Sequence, residues 1–208
     1  MTATLLYINF SPRSESVSRR LAEQFINKWS TLHPDARSIS KDYGLSPVEG
    51  PSDAWIKANM TPPPERTVDQ IDLLAVSDGL IADIHRASHI VISSPMFNFT
   101  LPWQFKAYID NIVRVGHTFS FSPDKGFGPL LDPKKKLLLV WASAGEYPPG
   151  TPGEAYDHFT KYVSFIFGFM GLIDFRSVNA GNQWGSPEAV ELSIENARND
   201  LAAAADTW

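Results

Sequence analysis

The chain has 208 residues, 43% of them apolar and 20% charged, with a net charge of −5 and no cysteine. A length near the usual 100–200 residues per domain suits one large domain that buries roughly 70% of its unfolded surface without a staple. The missing cysteines exclude a disulfide scaffold, a thiolate zinc site, a redox CxxC and a cysteine nucleophile, and the acidic balance argues against nucleic acid as a partner.

The first residues, Met1–Phe10, form a short apolar run with no basic segment before it and no small-residue cleavage site after it, so no targeting signal is expected, and Thr4–Asn9 (TLLYIN) within it reads as a buried strand. In Ser18–Leu32 the residues Leu21, Phe25, Trp29 and Leu32 fall on one helix face. A weaker strand is expected over Arg37–Asp42, around Ile39. Gly44–Pro64, with Pro47, Pro51 and Pro62–Pro64, reads as a Pro-rich surface insert or lid. Thr67–Ala87 is helical in spacing through Ile71, Leu74, Leu80, Ile81 and Ile84. His89–Ser94 (HIVISS) and Leu137–Ala142 (LLLVWA) are further buried strands. Helices are expected over Trp103–Val115 and Tyr156–Met170, a last strand over Ile173–Asn179, and a last helix over Pro187–Ala205, opened by Ser186-Pro187-Glu188.

Strand and helix alternating through five strands is the pattern of an open α/β sheet with helices on both faces, here as one domain over 1–208. The Lys134–Lys136 run leads into a strand and reads as its solvated entrance. No apolar run reaches about 18 residues, so no membrane helix is expected, and the chain reads as soluble and cytoplasmic. The five histidines show no ligand spacing, so no metal is expected.

Ligands of such sheets bind beyond the carboxyl ends of the strands, where three segments stand out. Phe10–Ser18 carries Ser11, Ser14, Ser16, Ser18 and Arg13 just before a helix, a pattern suited to a single phosphate at a helix N-terminus. It lacks GxxxxGK[ST] and GxGxxG, and a plain serine N-cap accounts for one of the four serines. After the third strand, Met96, Phe97, Asn98 and Phe99 offer aromatic faces and an amide to a flat ring. After the fourth, Ser143-Ala144-Gly145-Glu146 lets backbone N–H groups approach a ligand closely.

These residues resemble the FMN-dependent NADH:quinone oxidoreductase and azoreductase family. The resemblance rests on the serine loop, Pro95-Met96-Phe97-Asn98-Phe99, Lys106-Ala107-Tyr108-Ile109-Asp110, Gly116-His117-Thr118-Phe119, Ser143-Ala144-Gly145 and Phe167-Gly168-Phe169-Met170-Gly171. It implies a flavodoxin-like three-layer sandwich with a five-stranded parallel sheet of order 2-1-3-4-5. It also implies that Ser11, Ser16, Val17 and Ser18 hold the FMN phosphate, that Pro95, Met96, Phe97, Asn98 and Phe99 lie along the isoalloxazine, and that Ser143, Ala144, Gly145 and Glu146 close its other edge. Phe99 and Phe121 would line the substrate pocket. Glu146 stands where the family usually has a second glycine, which sets a carboxylate near the flavin. The implied reaction carries electrons from NADH or NADPH by a ping-pong route to quinones or azo compounds, in a homodimer, with the chemistry on the flavin and no obligatory side-chain acid or base. An NADPH 2′-phosphate would call for a positioned arginine, such as Arg13 or Arg114. A flavodoxin-type electron carrier is the alternative. A phosphoacceptor module lacks its acidic strand ends here, and a serine hydrolase lacks a matched His/Asp pair.

Overall fold

A computed structural model describes residues 2–208. Five strands form the central sheet: β1 (Thr4–Asn9), β2 (Arg37–Asp42), β3 (His89–Pro95), β6 (Lys136–Ala142) and β7 (Asp174–Ala180). They run parallel in the order β2-β1-β3-β6-β7. β4 (Phe119–Ser122) and β5 (Gly126–Pro129) make a separate antiparallel hairpin.

Side chains alternate along each strand, so one sequence feeds two cores. Leu6, Ile8, Ile90, Ile92, Leu137 and Leu139 face α3 (Val68–Arg86), α4 (Trp103–Ile112) and α5 (Phe159–Met170). Leu5, Tyr7, Val91, Leu138 and Val140 face α1 (Val17–Leu32) and α6 (Pro187–Ala205). The sheet is thus covered on both faces, as the strand–helix alternation demands.

The regular elements begin and end close to the expected positions, and the departures have local causes. Helix α5 starts only at Phe159, because Pro152–Tyr156 is a 3₁₀ turn and the Asp157 carboxylate accepts from the N–H groups of Phe159 (3.0 Å) and Thr160 (2.8 Å). Leu32 and Ile71 are exposed: the first closes the last turn of α1, and the second lies in the opening turns of α3, ahead of the buried stretch that begins at Leu74.

The Pro-rich insert carries a short helix, α2 (Asp53–Met60), N-capped by Ser52. Buried Arg114 anchors that helix: its Nε donates to Asn59 Oδ1 (2.8 Å), its Nη1 to Ser77 Oγ (2.8 Å) and Asp78 Oδ1 (2.5 Å), and it lies 5.6 Å from the centre of the Trp55 ring. One expectation is corrected: the Lys134–Lys136 run is not wholly solvated. Lys135 is buried, with its ammonium donating to the carbonyls of His85 and Ala87 at the end of α3. Those carbonyls belong to a helix C-terminus, where a cation is favoured.

Among the described residues, no helix is long and apolar enough to cross a membrane.

Candidate cofactor site at the strand ends

The serine loop joins β1 to α1. Ser11, Ser16 and Ser18 are buried, Val17 is half-buried, and Arg13 and Ser14 are exposed. Ser16 caps the helix, its hydroxyl accepting from Arg19 N (3.4 Å) and lying 3.0 Å from the Ser18 hydroxyl. The N–H groups of Val17 and Ser18, in the first turn, have no partner within a helix. The end of β2 backs the loop, and a Cβ on Gly44 would stand 2.0 Å from the Ser11 carbonyl oxygen. That position therefore admits only glycine.

A buried polar chain runs beneath the loop. Tyr7 OH lies 2.9 Å from Ser93 Oγ, which donates to Asn9 Oδ1 at 2.8 Å. Burial is the main reason the Tyr7 phenol is pushed up to about 12. Asn9 Nδ2 in turn donates to Asp42 Oδ1 (2.8 Å) and to the Ser11 carbonyl (3.2 Å). Burial raises the Asp42 carboxyl, but hydrogen bonds from Arg19, Asn9 and the Leu45 N–H outweigh it and hold the group below its usual value.

The second segment follows β3. Met96 N donates to Ala142 O (2.8 Å), carrying the parallel pairing past the end of the strand. Phe97 and Thr100 then exchange both backbone hydrogen bonds, closing a tight turn over Asn98 (φ +48°) and Phe99 (φ +67°). Two left-handed residues in succession are the geometry of a type I′ turn. The turn leaves Phe97, Asn98 and Phe99 exposed at the strand end, with Pro95 and Met96 half-buried behind them. Phe99 packs near Tyr156 and Tyr147, with ring centres 5.3 and 6.2 Å away.

The third segment, Ser143–Glu146, is oriented through its carbonyls. Those of Ser143, Ala144 and Gly145 accept from the N–H groups of Gln183 (3.1 Å), Trp184 (3.2 Å) and Asn182 (3.3 Å). In a trans peptide, the C=O of one residue and the N–H of the next point oppositely. The N–H groups of Ala144, Gly145 and Glu146 therefore face away from the 182–184 segment. Ser143 Oγ, donating to Gly145 O (2.8 Å) and accepting from Asn179 Nδ2 (3.1 Å), holds the loop from inside.

Glu146 fits this arrangement without glycine, since its φ is not positive. Its side chain runs toward Gly181, where an added Cβ would lie 2.8 Å from Glu146 Cγ. It lines a crevice of about 470 Å³ with Trp141, Tyr147, Asp157, Asn179 and Asn196. The carboxylate is thus carried to the β7 side of the loop, opposite to the three N–H groups.

The structure brings the three segments to one edge of the sheet. Phe121 is placed apart from Phe99, in the hairpin, where it packs against Phe127 with ring centres 5.0 Å apart; Phe127 in turn meets Phe169 of α5 at 5.6 Å. Sequence reasoning missed Asn9, Arg19, Asp42, Gly44, Ser93, Asn179 and Gly181. Gly44 and Gly181, each just past a strand end, were the available signals.

The profile of a family described as flavodoxin-like fold matches residues 3–205. An FMN-dependent NADH:quinone oxidoreductase of Trichormus variabilis is 38% identical over 207 residues, 99% of this chain and 100% of that protein. The chain belongs to this flavodoxin-like family. An FMN-dependent NADH:quinone oxidoreductase of Acidobacterium capsulatum is 40% identical over 178 residues, 86% of this chain and 85% of the relative. The solved structure of azoreductase AzrA superposes with a TM-score of 0.88 at 25% identity, covering 99% of this chain and 100% of that one. The first two segments follow β1 and β3, the two strands beside the switch point of this strand order, where open α/β sheets take their ligands, and the third follows β6, the next strand in the sheet.

Proposed function

We propose that this chain is an FMN-dependent oxidoreductase that passes electrons from a nicotinamide nucleotide to quinones and azo compounds. The observation that carries this reading is the 143–146 loop, where the carbonyls of Ser143, Ala144 and Gly145 are turned onto residues 182–184 and the N–H groups of Ala144, Gly145 and Glu146 are left for a ligand. Full-length relatives named FMN-dependent NADH:quinone oxidoreductases and the azoreductase likeness support it.

The residues fit the cofactor. Ser11, Ser16, Val17 and Ser18 combine buried hydroxyls with unpaired N–H groups of a helix N-terminus, which suits a phosphate. Pro95, Met96, Phe97, Asn98 and Phe99 present an apolar face with one carboxamide to a flat ring. Bound FMN supplies hydride acceptance from the nicotinamide and onward electron transfer. The N–H groups of Ala144, Gly145 and Glu146 lie ready for the ring edge that gains negative charge on reduction, and their preorganisation lowers the cost of that charge. Asn98 fixes the ring's orientation, and Phe99 covers the place where donor and acceptor dock in turn. That single shared place makes the kinetics ping-pong. No side chain is required as acid or base.

A homodimer belongs to this reading. Phe121, Phe127 and Phe165 are exposed around the hairpin and α5, and Met60, Val68 and Val76 on α2 and α3, an apolar load suited to a partner. In a dimer Phe121 is available to complete the substrate pocket of the other copy. A cytoplasmic location, where nicotinamide donors are found, goes with it.

Steady-state rates at several fixed quinone concentrations test the kinetic claim. Parallel double-reciprocal lines are expected, and intersecting lines would rule out a shared pocket used in turn.

A further inference from the structure

Resting on the FMN reading above, we infer that Arg19, clamped by Asp42, is a positioning residue that sets the Ser11 peptide and thereby the affinity for the cofactor's phosphate, separately from its ring. Arg19 lies in the first turn of α1, with 14% of its side chain exposed. Its Nη1 donates to Asp42 Oδ2 (2.5 Å) and its Nη2 to the Ser11 carbonyl (3.3 Å). Asn9 completes the hold on the same residue: Nδ2 donates to the Ser11 carbonyl and Oδ1 accepts from the Ser11 N–H (3.3 Å).

Asp42 is the hub of this frame. Its Oδ1 accepts from Asn9 Nδ2 (2.8 Å), Gly44 N (3.2 Å) and Leu45 N (3.1 Å). One carboxylate thus ties the end of β2, the end of β1 and the start of α1 to the peptide that opens the serine loop. Charge-assisted, two-pronged contacts of this kind fix orientation as well as distance. Arg19 Nε is buried and has no acceptor among the described residues, so the guanidinium keeps an unspent donor beside the loop. An anion held by Ser11, Ser16 and Ser18 rests on the peptide that this pair sets, whereas the ring, held by residues 95–99 and 143–146, does not depend on it.

The test compares FMN with riboflavin, which carries the same ring and no phosphate, by quenching of flavin fluorescence on Arg19→Gln, Arg19→Lys and Asp42→Asn proteins. Loss of one charged contact predicts FMN binding weakened roughly 10- to 100-fold in Arg19→Gln. Riboflavin binding should change by less than about threefold in the same terms. Arg19→Lys should recover part of the FMN affinity, and Asp42→Asn should show the same selective loss. Equal weakening for both flavins, or no weakening for either, overturns the inference. If Arg19→Gln does not fold, the near-isosteric Asp42→Asn decides by the same comparison. Should the unaltered chain bind neither flavin, the parent reading fails instead.

Discussion

Asn98 and Phe99 hold left-handed backbone conformations at the end of the turn after β3. Asparagine tolerates this region, but a bulky aromatic there is strained and persists only when its surroundings hold it. The chain therefore keeps an aromatic ring at the ligand edge at a cost that glycine would avoid. Phe99→Gly should be about 1 kcal/mol more stable than Phe99→Ala in urea unfolding, since alanine keeps the strain and glycine removes it. Equal stabilities would mean that the backbone relaxes freely at 99. Asn98→Gly keeps the turn while deleting the carboxamide, and should lower FMN affinity and turnover together by roughly tenfold. Unchanged affinity would remove Asn98 from the site. Far from this edge, His89 sits between Trp29 and Trp208, with burial foremost and Lys136 and His33 next in lowering its pKa from 6.5 to about 4, against a smaller opposing effect of Asp174. The folded state favours the neutral ring, so this stabilisation is complete above pH 6.5 and is lost as pH falls from 6.5 toward about 4. Urea midpoints of His89→Gln should fall less steeply than those of the unaltered chain over that window, and parallel curves would contradict the assignment.

At the scale of elements, the 143–146 loop depends on the segment after β7. A Cβ at Gly181 would meet Asn179 Oδ1 at 2.6 Å, Glu146 Cγ at 2.8 Å and Gly145 O at 3.0 Å. Gly181→Ala must therefore displace the loop, and FMN affinity should drop at least tenfold in a folded protein, whereas Gly79→Ala, with nothing within 4 Å, should leave it unchanged. Helix α2 depends on Arg114 in the same way. Arg114→Met should lower stability by about 2–4 kcal/mol and speed protease cleavage between residues 50 and 66, as mass spectrometry of the fragments would show. Full burial of Arg114 in this network also removes it as a reader of an NADPH 2′-phosphate. The buried strands were legible because each shows a run of apolar residues. Helix α2 was not: its single buried residue, Ala58, gives no periodic signal among prolines. The hairpin was hidden for a related reason, since Phe119–Ser122 and Gly126–Pro129 are four residues each, with Phe121 and Phe127 in solvent and Phe119 only half-buried. At the site, the motif residues could be read one by one. The frame behind them could not, because Asn9, Asp42, Arg19 and Ser93 meet only through the sheet register and look like ordinary polar residues in sequence.

For the whole molecule, the fold places the serine loop, an aromatic turn and the outward N–H groups of residues 144–146 at one sheet edge, and leaves apolar side chains of the hairpin, α2, α3 and α5 in solvent. Sedimentation equilibrium should find a dimer at micromolar concentration, and Phe127→Asp should shift it toward monomer and lower quinone turnover with it; a fully active monomer would separate the pocket from the partner. On the proposed reading this edge holds FMN and lets a nicotinamide reduce it. The most direct test is the visible spectrum of the FMN-loaded protein titrated anaerobically with NADH, followed by a benzoquinone. Bleaching of the flavin bands by NADH and their recovery with the quinone are expected. FMN that stays free, or that binds and remains oxidised in excess NADH and NADPH, would contradict that reading.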